Sequence, residues 1–110
     1  MGRFVKGDIV IVPFPFSDLS ASKRRPAFVL ASNGGNDLVL CQITSQAFSD
    51  EMAITIGLSD YKEGGLKAIS NVRVNKLFTA NEDIILYKAG RLNDNKISEI
   101  VDKVTEMIRR

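Results

Sequence analysis

Over most of the chain, apolar residues come in short runs or alternate singly. Near the C-terminus they recur at every third or fourth place instead. Residues 9–14 are β-branched and aromatic, follow Gly7-Asp8, and read as a strand ended by Pro13 and Pro15. Residues 17–25, SDLSASKRR, are polar and rich in Ser, and read as a loop. A second strand is expected at 26–31, with Pro26 tolerated as its first residue. A tight turn with two glycines follows at 32–36. The third strand is expected at 37–43, burying Leu38-Val39-Leu40, and the fourth at Ala53–Ile56. Residues 59–66 hold Gly64-Gly65 and read as a loop. Val72 and Val74 flank Arg73 within 70–75, the period-2 pattern of a strand with one wet face. Another short strand is expected at 76–79. Glu82-Asp83 turn the chain, residues 84–87 return it, and Gly90 closes the β part.

The period then changes. Ile97, Ile100, Val101, Val104, Met107 and Ile108 form one apolar stripe at helical spacing. Asn93 or Asp94 can cap the N-terminus of this helix, and Arg109 and Arg110 suit its C-terminal end. Five to seven short strands followed by a helix predict a mainly β chain: a small barrel or half-barrel with the helix covering one side. One domain over residues 1–110 is expected. The stripe is wide enough for one partner, and packing on the barrel rather than on a second subunit is the expectation.

Composition narrows the chemistry. Of the 110 residues, 45% are apolar and 25% charged, the balance of a chain able to build a core. The net charge of +2 by itself demands no nucleic-acid partner. The absence of His removes His-based triads, His acid–base pairs and most zinc or iron sites. A single Cys, Cys41, forms no internal disulfide and fits a reducing, cytoplasmic setting. The longest apolar run, residues 9–16, contains two prolines and is too short to span a membrane. Residues 1–16 lack the pattern of a secretory signal, so no membrane association is expected.

A site must therefore use Arg, Lys, Ser, Thr, Asp, Glu or Tyr. Lys23-Arg24-Arg25 places three consecutive cations before a strand. They suit phosphate, since guanidinium forks onto phosphate oxygens, or else they form a solvated loop. Pro26 restrains Arg25 to extended geometry and sets it apart from its two neighbours. Thr44-Ser45-Gln46 follows the third strand, where its hydroxyls can bond a phosphate or ribose, or simply serve the local turn. Arg73 is a third candidate, alternatively paired across strands with Glu51 or Asp83. Phe14, Phe16 and Phe28 read as core, while an exposed Phe or Tyr61 could stack a base. The carboxylates are scattered, so neither a metal nor another cofactor is expected.

Several segments resemble the PemK/MazF-like toxin family. They are Phe4-Val5-Lys6-Gly7-Asp8-Ile9-Val10 with Val12-Pro13-Phe14-Pro15-Phe16, then Asp18-Leu19-Ser20, then Lys23-Arg24-Arg25-Pro26-Ala27-Phe28-Val29-Leu30 with its Arg-Pro pair. Gln42-Ile43-Thr44-Ser45-Gln46, Gly64-Gly65-Leu66, Ser70-Asn71-Val72-Arg73, Lys76-Leu77-Phe78-Thr79 and Gly90-Arg91-Leu92 continue the match in order over nearly the whole chain. The resemblance implies an SH3-like barrel with a C-terminal helix, acting as a homodimeric toxin of a type II toxin–antitoxin pair. It implies cleavage of single-stranded RNA at short sequences and a cognate antitoxin that occupies the RNA groove. The family's catalytic Arg and Thr carry to Arg25 and Thr44. Asp18, Ser20, Lys23, Arg24, Ser45, Gln46, Arg73 and Lys76 are the further candidate RNA contacts. Many members carry Gly-x-Glu-Gln in the first loop; this chain reads Asp18-Leu19-Ser20-Ala21-Ser22-Lys23, and those contacts are not carried over.

This inventory suits a metal-independent reaction in which the substrate's own 2′-OH attacks the neighbouring phosphate. The products are a 2′,3′-cyclic phosphate and a 5′-OH. Arg25 would stabilise the extra charge, and Thr44 would bond a phosphate oxygen or orient the 2′-OH. Two other readings stand beside it. One is an inactive RNA- or antitoxin-binding module. The other is a CcdB-like gyrase inhibitor, which the lack of Trp and the ending Met107-Ile108-Arg109-Arg110 argue against.

Overall fold

A computed structural model describes residues 3–14, 23–32, 35–45 and 51–110. Its strands are β1 (Asp8–Phe14), β2 (Lys23–Ser32), β3 (Asp37–Thr44), β4 (Ala53–Ile56), β5 (Tyr61–Gly64), β6 (Ser70–Asn81) and β7 (Tyr87–Leu92). One helix, α1 (Asp94–Arg109), follows them. The strands form one sheet in the order β4-β6-β3-β2-β1-β7-β5, and every pairing is antiparallel. Register shifts in β1–β7, β2–β3, β3–β6 and β5–β7 increase the local twist. The sheet curls into a half-barrel with α1 against one side, as the hydrophobic pattern predicts.

Both faces of the central strands are apolar, because successive side chains point to opposite sides. Ile9, Phe28, Cys41, Ile43, Val72 and Val74 meet Ile100 and Val104 of α1. Val10, Val12, Ala27, Val29, Leu38 and Leu40 gather with Ala80 and Ile85 on the opposite face. The Asn93 side chain caps α1 by accepting from the Lys96 N–H at 2.8 Å. The end of the predicted stripe departs from expectation: Ile108 is 69% exposed.

Gly7-Asp8 locks the start of the sheet. Gly7 has φ +100°, and a Cβ there would run into the Ile97 side chain of α1. Asp8, only 2% exposed, accepts from the Val5 N–H at 2.9 Å and pairs with Arg91 at 3.3 Å and Lys88 at 3.5 Å. A buried carboxylate is tolerated where such partners replace water.

Four local expectations are corrected. Lys23, Arg24 and Arg25 lie in β2 rather than in a loop, because they pair with Phe14, Pro13 and Val12 of β1. The expected loop at 59–66 holds β5, which pairs with β7. The two strands expected over 70–79 are one continuous β6. The returning strand is Tyr87–Leu92, beyond the expected 84–87, and it runs through Gly90 rather than ending there. A Cβ at Gly90 would stand 2.7 Å from the Gly65 backbone nitrogen, so glycine permits this close crossing.

Candidate functional site

The start of β2 and the end of β3 meet at one rim of the sheet. A cleft of about 360 Å³ wraps round these ends. Lys23, Arg24, Arg25 and Pro26 of β2 line it, with Ile43, Thr44 and Ser45 at the end of β3. Leu66, Ala68 and Ser70 form the facing wall. The β2–β3 register runs to Ala27 opposite Gln42. Two residues further along each strand stand Arg25 and Thr44. Alternation puts both on the face of Ala27 and Gln42, and puts Arg24 and Ser45 on the other. At the strand ends the cleft is thus lined by residues whose side chains belong to both faces.

Lys23, Arg24 and Arg25 are all exposed, and among the described residues no carboxylate pairs with any of them. Their backbones are fixed by the β1 ladder, and no carboxylate among the described residues neutralises their charges. That is the electrostatic condition for holding an anion. Thr44 is half-buried and Ser45 exposed.

The facing wall is braced. Ser70, 3% exposed, donates its hydroxyl to the Ala68 carbonyl at 2.9 Å. The Gly65 N–H donates to the Ala89 carbonyl at 3.1 Å. Tyr61 is half-buried against the core and beneath Gly65. Burial pushes its hydroxyl pKa up, a hydrogen bond from the Leu66 backbone opposes this, and Asp60 adds to the rise. Tyr61 therefore supports the wall rather than standing free as a base-stacking ring. Phe28 is fully buried, as expected.

Of the other predicted contacts, Arg73 stands opposite Gln42 and Ala53. It shares the face of Arg25 and Thr44 but does not line the cleft. Of the two carboxylates considered as its cross-strand partners, Asp83 pairs with Arg3 at 3.1 Å. Lys76 is exposed, sits at the β3–β6 register shift and is also outside the cleft. Asp18, Ser20, Phe16 and Gln46, and the side chain of Phe14, lie outside the described residues. Sequence reasoning missed Ala68 and Ser70. The family match quoted Ser70, but only contact across the sheet ends makes it a lining residue.

A second cleft, also about 360 Å³, lies between β4 and α1. Glu51, Glu99, Asp102 and Glu106 line it, against the single cation Lys103.

A curled antiparallel sheet backed by one helix, with a cleft lined by three cations at its rim, describes a small half-barrel. The sequence then fixes the family. Residues 5–108 match the profile of the PemK-like, MazF-like toxins of type II toxin–antitoxin systems, and the chain belongs to that family. No curated relative matches the chain by sequence. Solved structures share the fold. An endoribonuclease in complex with its cognate antitoxin from mycobacterial species superposes with a TM-score of 0.78 at 13% identity, over 97% of this chain and 96% of that one. The MazE–MazF complex of Deinococcus radiodurans gives 0.77 at 18%, over 96% of each chain. The Mycobacterium tuberculosis toxin MazF-mt6 gives 0.73 at 13%, over 93% and 96%.

Proposed function

We propose that this toxin is an endoribonuclease that cuts single-stranded RNA without a metal ion. The observation that carries the reading is the cleft itself, which Lys23, Arg24 and Arg25 line together with Thr44 and Ser45, and among the described residues no carboxylate pairs with those three cations. The substrate's 2′-OH attacks the adjacent phosphorus, the bond to the 5′ oxygen breaks, and a 2′,3′-cyclic phosphate and a 5′-OH result. One proton leaves the 2′-OH and one reaches the 5′ oxygen, an exchange that water can carry at this open rim. Arg25 stays charged throughout and offsets the extra negative charge on the phosphorane. Thr44 donates to a non-bridging oxygen. Lys23 and Arg24 hold flanking phosphates, and dependence on the 2′-OH excludes DNA as a substrate. Toxin–antitoxin complexes among the structural neighbours support a cognate antitoxin as partner. The working form is a homodimer in the cytoplasm.

The test is a long labelled single-stranded RNA incubated with the protein in EDTA, beside Arg25→Ala and Thr44→Ala. Discrete fragments with 5′-OH ends are expected. Arg25→Ala should lower the rate by about 10²–10³, the usual cost of one stabilising donor. RNA left whole across diverse templates, or a folded Arg25→Ala variant with full activity, overturns the reading.

A further inference from the structure

The chain has two tyrosines and no Trp. Tyr61 is packed into the wall, but Tyr87, the first residue of β7, is 51% exposed. Ile11 of β1 stands opposite Tyr87 on one side and opposite Pro26 of β2 on the other. Directly opposed residues share a face of the sheet, so Tyr87, Ile11 and Pro26 form a row across three strands. Neighbouring strands lie about 4.8 Å apart, which puts Tyr87 roughly 10 Å from Pro26, a residue that lines the basic cleft. Alternation places Arg24 on the same face as Pro26. β1 and β7 are antiparallel, so β7 begins at the end of the sheet where β1 pairs with the three cations. The wall crosses β7 at Ala89, whose carbonyl accepts from the Gly65 N–H at 3.1 Å. Tyr87 therefore lies on the rim side of that crossing, the side on which Lys23, Arg24 and Arg25 stand.

We propose that Tyr87 is a stacking platform for a base of the bound RNA strand; this rests on the endoribonuclease reading above. Single-stranded nucleic acid is held by two features together: cations that track the phosphates and exposed aromatic rings that take the bases. The cleft supplies the first and Tyr87 the second. The span between them is short enough for one RNA strand to touch both. A ring stacks any base, so Tyr87 adds affinity and fixes the course of the strand across β1, without reading sequence. The neighbouring cations favour RNA over a protein partner as the occupant of the ring.

Binding of a 2′-O-methyl RNA oligonucleotide tests this, since that probe lacks the attacking hydroxyl and is read without cleavage. Tyr87→Ala should weaken binding by about tenfold, within the usual worth of one stacked base. Tyr87→Phe keeps the ring and should stay within about twofold of wild type. The salt dependence of affinity should keep its slope in Tyr87→Ala, because no phosphate contact is lost. Tyr61→Phe leaves Tyr87 as the one tyrosine of a chain without Trp, and the probe should quench its emission. Unchanged affinity in Tyr87→Ala, which would leave the ring to a protein partner, overturns the proposal. So do equal losses in Tyr87→Ala and Tyr87→Phe, or emission that bound probe does not move. None of these touches the endoribonuclease reading. A probe that binds through Tyr87, beside unmodified RNA that stays whole, supports the platform and overturns the cleavage reading.

Discussion

The two clefts have nearly the same volume and opposite electrostatics. At the rim of β2 and β3 the cations face no carboxylate among the described residues. Between β4 and α1 the charges are partly settled internally: Lys96 bonds Glu99 at 2.9 Å, and Glu106 pairs with Lys103 at 3.8 Å and Arg110 at 3.1 Å. Size alone thus selects no ligand. What separates the clefts is whether the described residues supply their own counter-ions: at the first rim none of them is a carboxylate paired with the cations. The helix permits internal pairing because residues three or four apart are neighbours. Along the extended start of β2 the three cations are consecutive, with no acid interleaved.

The sharpest way to break this comparison is to reverse the first cleft. Lys23→Glu/Arg24→Glu leaves exposed strand residues in place and changes only charge. Charged hydrogen bonds are worth roughly 1.5–3 kcal/mol each, so affinity for single-stranded RNA should fall by about a hundredfold or more. The dependence of log affinity on log salt should become shallower by about 1.4, at roughly 0.7 per lost phosphate contact. Filter binding across a salt series reads both quantities. Unchanged affinity would make these cations a solvated rim after all.

The converse substitution has a small effect. Asp102→Lys adds positive charge to the acidic cleft, which shares no lining residue with the basic one. Surface charges are screened beyond about 8 Å at physiological salt, so RNA cleavage should stay within about twofold of wild type. Stability should move by no more than about 0.5 kcal/mol. A change in cleavage as large as that of the β2 reversal would show that the clefts act as one surface.

The same contrast explains what was legible in the sequence. The bounds of β4 and the Asn93 cap of α1 were readable because a β-branched run and a helical stripe are local signals. β5 was not, because in Tyr61-Lys62-Glu63-Gly64 only Tyr61 is partly buried and no alternation exists to read. β6 looked like two strands because Asn75, Lys76 and Leu77 are all exposed where its register against β3 slips. At the site, Arg25 and Thr44 stood out by residue type and by family resemblance. Ser70 becomes part of a wall only across the sheet ends. Contact between segments distant in sequence decides this, and a local pattern does not encode it.

Either comparison of the clefts holds only while the sheet beneath them is folded, and one core residue limits the usable pH range. Cys41 of β3 is fully buried, and burial pushes its thiol from an ordinary value of 9.0 up to about 12. Between those values the unfolded chain sheds a proton that the folded chain keeps. The contribution is therefore whole below pH 9 and is lost as pH rises toward 12. Tyr61, also shifted upward, adds in the same direction. Urea unfolding midpoints measured from pH 8 to 11 should fall with rising pH. In Cys41→Ala the whole curve should start lower, for lost packing, yet decline less steeply. Parallel curves for the two proteins would remove Cys41 as a source of alkaline sensitivity. At pH 7 the thiol is protonated in both states and stability does not vary with its titration, so charge differences between the clefts are read there without it.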